Sequence, residues 1–260
     1  MLSFVTKSGL RLAKGLHGSH RFRNLYASIG YSALTHPQPY NLKETLNKIF
    51  IMQTSNATSA KEHKSDYKVY ILHEGYSEFL GDEMKANCTC TVIKGRKNII
   101  VDTMTPWDKD LILEKLKSLK IDPSDISYVI STHGHSDHCG NNNLFLEAVH
   151  IVGYCISKGD IYKNHPFDRG LPYEIDDGVS VIPTPGHMMA HVSVAVKTAN
   201  GTVVVAGDLF ENEKDLSDEN VWIDAGSEDE SKQRTSRAKI LKIADWIIPG
   251  HGKMFKVSRP

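Results

Sequence analysis

Runs of β-branched and apolar residues begin in earnest at residue 68. KVYILHE (68–74), CTCTVIK (88–94) and NIIVD (98–102) read as strands, the last two joined by a short turn at 95–97. Leu111, Leu113, Leu116 and Leu119 recur among charges, which predicts an amphipathic helix over 110–119 that Asp122-Pro123 breaks. ISYVIS (126–131) predicts a buried strand, and a helix is expected to start within 142–149. Strands are predicted at 150–155, 178–183, 191–197 and 201–206, the alternating HVSVAVK being the clearest. A helix over 231–244 and a last strand over 245–249 close the pattern, with no internal repeat.

Residues 1–66 follow a different pattern. Leu2, Val5, Gly9, Leu12 and Leu16 share a helical spacing, with Lys7, Arg11 and Lys14 on the opposite face. This acid-free, Ser-containing stretch has the composition of a mitochondrial transit peptide, and equally that of a basic tail. QTSNATSAKEHKSD (53–66) reads as a linker. The chain thus divides into a basic extension and linker, 1–66, and a globular part, 67–260.

Charge changes this picture in one respect. Lys plus Arg equals Asp plus Glu, 31 each, so no global field points to a polyanion. Six basic residues and no acid lie in 1–43, which leaves 44–260 at −6. No apolar run approaches the roughly 20 residues that span a bilayer, so no membrane partner is expected. The four cysteines form no CxxC pair, and Cys88 and Cys90 are expected on one side of a strand, which suggests a reducing compartment.

The chemistry concentrates where the strands end. STHGHSDHCGNNN packs His133, His135, Asp137 and His138 into six residues directly after a buried strand. Imidazole nitrogens suit zinc and a carboxylate balances its charge, and Gly134 and Ser136 are small enough for a tight loop. TPGH sets His187 after a turn, VVVAGD sets Asp208 after an apolar run, and PGHG sets His251 after a second turn. A carboxylate at such a strand end is costly unless paired or metal-bound. Ends of strands are also where several chains can converge on one point.

HxHxDH followed by a distant His, an Asp and a His resembles the ordered signature of the metallo-β-lactamase superfamily, over residues 68–256. THGHSDH with its Asn-rich turn, TVVVAGD and ADWIIPGHGKMFKV are similar to the metallo-β-lactamase domain-containing protein 1 family in particular. The resemblance implies an α/β fold, a four-layer αββα sandwich. It implies two zinc ions, one on His133, His135 and His187, the other on Asp137, His138 and His251, with Asp208 bridging. It places Asp102, in IIVDT, behind the ligands. It also implies endoribonuclease activity on the 3′ end of histone-coding pre-mRNA, in nucleus and cytosol. Asp137 and Asp208 are then the catalytic carboxylates.

Other readings remain open at this stage. A glyoxalase II-type ester or thioester hydrolase shares the superfamily, and so does a mono-iron persulfide dioxygenase, which needs only two His and one Asp. The partner is accordingly RNA or a small ester or thioester, and a homodimer is open. Cys139 reads as a small buried side chain. His191 reads as a hydrogen-bond partner of the ligands or a general acid. Residues 211–230 hold nine acids against one Lys and read as a solvated loop. Lys232, Arg234 and Arg237, with Lys239 and Lys242, either touch a phosphate backbone or answer that loop.

Overall fold

Residues 67–258 are described by the structure, a computed structural model. The expected transit segment, basic extension and linker all lie outside the described residues. The chain runs through β1 (Lys68–His73), β2 (Tyr76–Leu80), β3 (Glu83–Asn87), β4 (Cys90–Lys94), β5 (Asn98–Val101), α1 (Lys109–Ser118), β6 (Ile126–Ser131), α2 (Ser136–Cys139), β7 (Val149–Val152), β8 (Cys155–Lys158) and β9 (Ile161–Lys163). It continues through β10 (Tyr173–Glu174), β11 (Val179–Pro183), β12 (Val192–Thr198), β13 (Gly201–Gly207), α3 (Asn220–Asp224), α4 (Glu230–Ile243), β14 (Trp246–Pro249) and β15 (Phe255–Lys256). None of the described helices is long and apolar enough to cross a membrane.

One sheet has the order β1-β4-β5-β6-β7-β8-β9 and the other β10-β11-β12-β13-β14-β15, while β2 and β3 pair only with each other. The parallel pairs are β5/β6, β6/β7 and β13/β14. Period-2 alternation decides the layers. Ile99, Val101, Ile130 and Ile151 of the first sheet meet Val181, Val194, Val196, Val203 and Val205 of the second in a central core. The opposite face of the first sheet (Val92, Ile100, Val129) packs on Ile112 and Leu116 of α1. That of the second (Ile182, Val204, Ala206, Ile247) packs on Ile240 of α4. Three apolar seams make four layers, αββα, each buried Val or Ile contributing about 1.5–3 kcal/mol.

Two expected elements differ. Over 142–149 only a 3-10 turn, Asn142–Leu144, forms. The asparagine side chains bond elsewhere: Asn141 Nδ2 donates to the carbonyls of Thr103 and Thr105, and Asn142 Nδ2 to Ser131 Oγ. Such local bonds compete with a helix. The strand expected over 150–155 breaks into β7 and β8, because Gly153 takes φ +52 and donates its N–H to the Ser131 carbonyl.

Candidate metal centre

Each candidate donor follows the end of a strand at one end of the sandwich. Asp102 follows β5, His133 follows β6 by one residue, His187 lies beyond β11, Asp208 follows β13 and His251 lies just beyond β14. His135, Asp137 and His138 complete the HxHxDH segment, whose second half is the single helical turn α2 rather than an open loop. Hydrogen bonds lock these segments together: Thr103 N donates to His138 O, Val192 N to Thr132 O, and Gly250 N to Gly207 O.

The donors converge in groups. His133, His135, His187 and Asp208 form one; Asp137, His138 and His251 form another; ligand atoms within each lie within 4.8 Å of one another. Asp208 stands between them. Its Oδ2 is 3.5 Å from His133 Nε2, 3.4 Å from His187 Nε2 and 3.3 Å from His251 Nε2, and its Oδ1 is 3.1 Å from His138 Nε2. Asp137 Oδ2 is 3.8 Å from His138 Nε2 and 3.9 Å from His251 Nε2.

In His187, His251 and His138 the far side of the ring decides that Nε2 points inward, whereas His135 turns Nδ1 toward His133 and His187. His187 Nδ1 donates to the Gly226 carbonyl at 2.7 Å. His251 Nδ1 donates toward the Tyr76 and Asn87 carbonyls, each at 3.1 Å. His138 Nδ1 lies 3.0 Å from Asp102 Oδ2, which also accepts from Thr132 Oγ1, while Asp102 Oδ1 accepts from Thr132 N. The inward Nε2 atoms are therefore bare lone pairs in the neutral rings, and they face a carboxylate, itself an acceptor. Acceptors turned on one another require a cation between them, a metal ion or, without one, a proton shared with Asp208. Two buried atoms, His138 Nε2 and Asp208 Oδ1, have no hydrogen-bond partner at all. Donors sharing a tetrahedral ion at 2.0–2.1 Å stand roughly 3.3 Å apart, which is the spacing around Asp208. The donor set fits metal, and Asp102 holds His138 as a carboxylate behind a ligating imidazole does.

Electrostatics agree. Burial opposes ionisation of Asp208, yet His138, His251 and His133 carry its pKa well below the usual carboxylate value. Burial likewise opposes charge on His251, but Asp208 and then Glu211 raise it to about 10. His138 is raised too, against burial, by Asp208 and Asp102. His133 is lowered, by burial first and then by His138.

His191 stacks on the His133 ring, centroids 5.3 Å apart, and its Nδ1 lies 3.0 Å from Thr184 Oγ1. Burial, then His187, lowers its pKa to about 3 in the metal-free chain. Cys139 is only half-buried and its Sγ donates to the His135 carbonyl, so it is neither the buried side chain expected nor part of the donor groups.

The acidic stretch and α4 need correction. Glu211 and Asp215 are buried, not solvated. Glu211 neighbours Asp208 and His251, and burial, then Asp208, raises its carboxyl to about 8. In the sequence it is one of nine acids with no signal of its own, although Leu209 and Phe210 before it extend the apolar run into the site. Arg237 is not available to a phosphate. It is buried, clamps both carboxylate oxygens of Asp215 at 2.9 and 3.1 Å, and sits 4.1 Å from the Phe210 ring centroid. Lys232 and Arg234 are exposed but paired, with Asp229 and with Glu219 and Glu230. Lys239 and Lys242 are exposed.

A sequence profile described as the Metallo-beta-lactamase superfamily matches residues 85–251. The chain belongs to that superfamily. A Xenopus laevis relative, Metallo-beta-lactamase domain-containing protein 1, is 44% identical over 209 residues, 79% of this chain and 88% of its own. A second relative, an N-acyl homoserine lactonase of Bacillus thuringiensis, is 29% identical over 142 residues, half of this chain and 54% of its own. The solved structure of a putative metallo-beta-lactamase from Thermotoga maritima matches with a TM-score of 0.55 at 24% identity, over 74% of this chain and 99% of that one, which shows the shared fold.

Proposed function

We propose that this chain, a metallo-hydrolase of the superfamily, holds two zinc ions and that its substrate is RNA, cleaved at a phosphodiester as the resemblance to the metallo-β-lactamase domain-containing protein 1 family implies, at the 3′ end of histone-coding pre-mRNA. The position of Asp208 carries the dinuclear reading: one carboxylate lies within 3.5 Å of imidazoles from both donor groups. A mono-iron dioxygenase would leave four of the seven donors without use.

His133, His135 and His187 would hold one ion and Asp137, His138 and His251 the other, with Asp208 shared. Bound zinc lowers the pKa of water towards ~7 and offsets negative charge that develops on a reacting oxygen. The chain supplies the rest. Asp102 and the carbonyls of Gly226, Tyr76 and Asn87 fix the imidazoles in one tautomer and orientation. Asp137, half-buried at the mouth, orients the nucleophile and accepts its proton. Glu211 lies buried beside Asp208 and His251, next to the shared carboxylate.

A small acyl ester or thioester is the second reading, favoured by one observation. The β2–β3 hairpin, whose Tyr76 and Asn87 carbonyls hold His251, exposes Phe79, Leu80 and Met84. Zinc-reconstituted protein assayed on RNA, a thioester and a lactone separates the two. Faster turnover of RNA supports the proposal, and thioester turnover with no RNA cleavage overturns it. Nucleus and cytosol are the places of work this reading implies, with the mitochondrial matrix as the alternative. A reporter fused to residues 1–60 that enters mitochondria would establish the alternative.

A further inference from the structure

At its β8–β9 edge the first sheet carries a cavity of about 450 Å³, within the size range of ligand sites. Its wall continues from the ligand segments. Gly153 N donates to the Ser131 carbonyl, two residues before His133. A side chain at Gly153 would overlap the carbonyl of Ala190, which lies between His187 and His191. The residues that follow Gly153, Tyr154 and Cys155, already line the cavity, and Tyr162, Lys163, His165 and Arg169 complete the part of its lining that bears on a ligand.

The chemistry of that lining is aromatic and basic. Tyr162 is 70% exposed. Tyr154 stacks on buried Phe167 at 5.3 Å between centroids, which fixes its ring. Lys163 Nζ stands 4.8 Å over the Tyr173 ring, and His165 packs edge-on to Phe167 and Tyr173. Among the described residues Lys163 and Arg169 form no ion pair, whereas Lys232 and Arg234 on α4 are both neutralised. Asp168 is the one acid in the lining. Unpaired cations set among aromatic faces hold single-stranded nucleic acid, the cations on phosphates and the rings on bases.

We infer that this cavity seats the single-stranded RNA that flanks the scissile phosphodiester, with Lys163 and Arg169 on its phosphates and Tyr162 against a base. The inference rests on the RNA reading above and gives it a path, on the β8–β9 side of the metal centre rather than over α4. The bond from Gly153 N to the Ser131 carbonyl sets this rim at the donor end of the first sheet.

The test is equilibrium binding of a labelled oligouridylate of about 12 nucleotides to the full chain, by fluorescence anisotropy, across about 50–200 mM salt. Reversing both charges (Lys163→Glu with Arg169→Glu) is expected to weaken binding at least tenfold. It should also flatten the log–log salt slope by about 1.4, two phosphates at roughly 0.7 each. Tyr162→Ala is expected to weaken binding about tenfold with the slope unchanged, as loss of a stacking face does. Lys158→Glu, an exposed charge at the far end of β8, is the control for general electrostatics and should stay within threefold. Zinc content and the melting temperature identify any variant that has lost its fold, and Tyr162→Ala, wholly at the surface, keeps the test decisive if the double reversal does. Tight wild-type binding that neither the reversal nor Tyr162→Ala alters, or that Lys158→Glu weakens as much, overturns the cavity and leaves the RNA reading standing. A wild-type chain that neither binds nor cleaves RNA at low salt overturns the RNA reading itself.

Discussion

At Gly250 the backbone passes so close to Asp208 that a methyl group would overlap Oδ1. The glycine of PGHG is thus a steric condition on the carboxylate that both donor groups share. Gly250→Ala should displace that carboxylate and reduce zinc content, as Asp208→Ala should by deleting it, with turnover nearly lost in both. Elemental analysis of the reconstituted variants checks this, and wild-type zinc with wild-type activity in Asp208→Ala would reduce Asp208 to a structural cap. Protons compete for the same donors. In the folded, metal-free chain His251 holds a proton up to about pH 10, against 6.5 ordinarily, and Glu211 up to about 8, against 4.5. Both pKa values are raised, so the stability they contribute is complete at low pH. It is lost as pH rises, through about 4.5–8 for Glu211 and about 6.5–10 for His251. Asp208, depressed, acts oppositely and only in acid. The metal-free melting temperature should therefore fall from about pH 6 to 9, while zinc affinity, which needs His251 deprotonated, rises. Melting curves with and without zinc across that range measure it, and a metal-free midpoint that climbs with pH would contradict the assignment.

Among the elements, α4 shows how a charge run can mislead. Its basic residues are not one face. Arg237 points inward between Phe210 and Trp222, binds the Leu209 carbonyl and both oxygens of Asp215, and so ties α4 to the segment that follows Asp208. Removing one partner of a buried pair leaves the other uncompensated, which costs about 3–5 kcal/mol. Arg237→Ala should lose that much in denaturant unfolding, whereas Arg234→Ala, on the solvated face, should move the midpoint little; equal effects would deny the burial its importance. The apolar side of α4 was legible, because Ile240 and, just past its end, Ala244 mark it, but the inward Arg was not, since only the fold brings Asp215 to it. The same reason separates what the rest of the sequence disclosed from what it hid. Strands β6, β13 and β14 are apolar runs that end on donors, so run and donor together locate the site. The hairpin of β2 and β3 has both strands largely exposed and hence no apolar periodicity, yet it positions His251. Strands β9, β10 and β15, of two or three residues, are too short to carry a period.

For the whole molecule the proposed RNA substrate sets a condition, because the chain has no net charge with which to hold a polyanion. Residues 44–260 stand at −6, so the mean field of this part of the chain repels RNA. Binding must then come from a few local cations acting at contact distance, and contact with phosphate releases counterions. For a single strand the affinity falls with salt at a log–log slope of about −0.7 per phosphate held. If about three phosphates are held, a fourfold rise from about 50 to 200 mM costs roughly twentyfold. A small thioester or lactone holds none, and the metal centre that cleaves it is buried beyond the reach of ordinary screening. The kcat/KM for RNA should therefore drop about twentyfold over that range, while that for a thioester, if any is measured, stays within about twofold. Residues 1–43 add six cations, so a chain beginning at residue 44 should cleave RNA more slowly at low salt and converge on the full chain at high salt, where steering is screened. RNA cleavage that ignores salt would mean that no phosphates are held. Thioester turnover that outruns RNA at every salt concentration would make the hairpin of Phe79 and Leu80, not the cations, the part of the rim that selects the substrate.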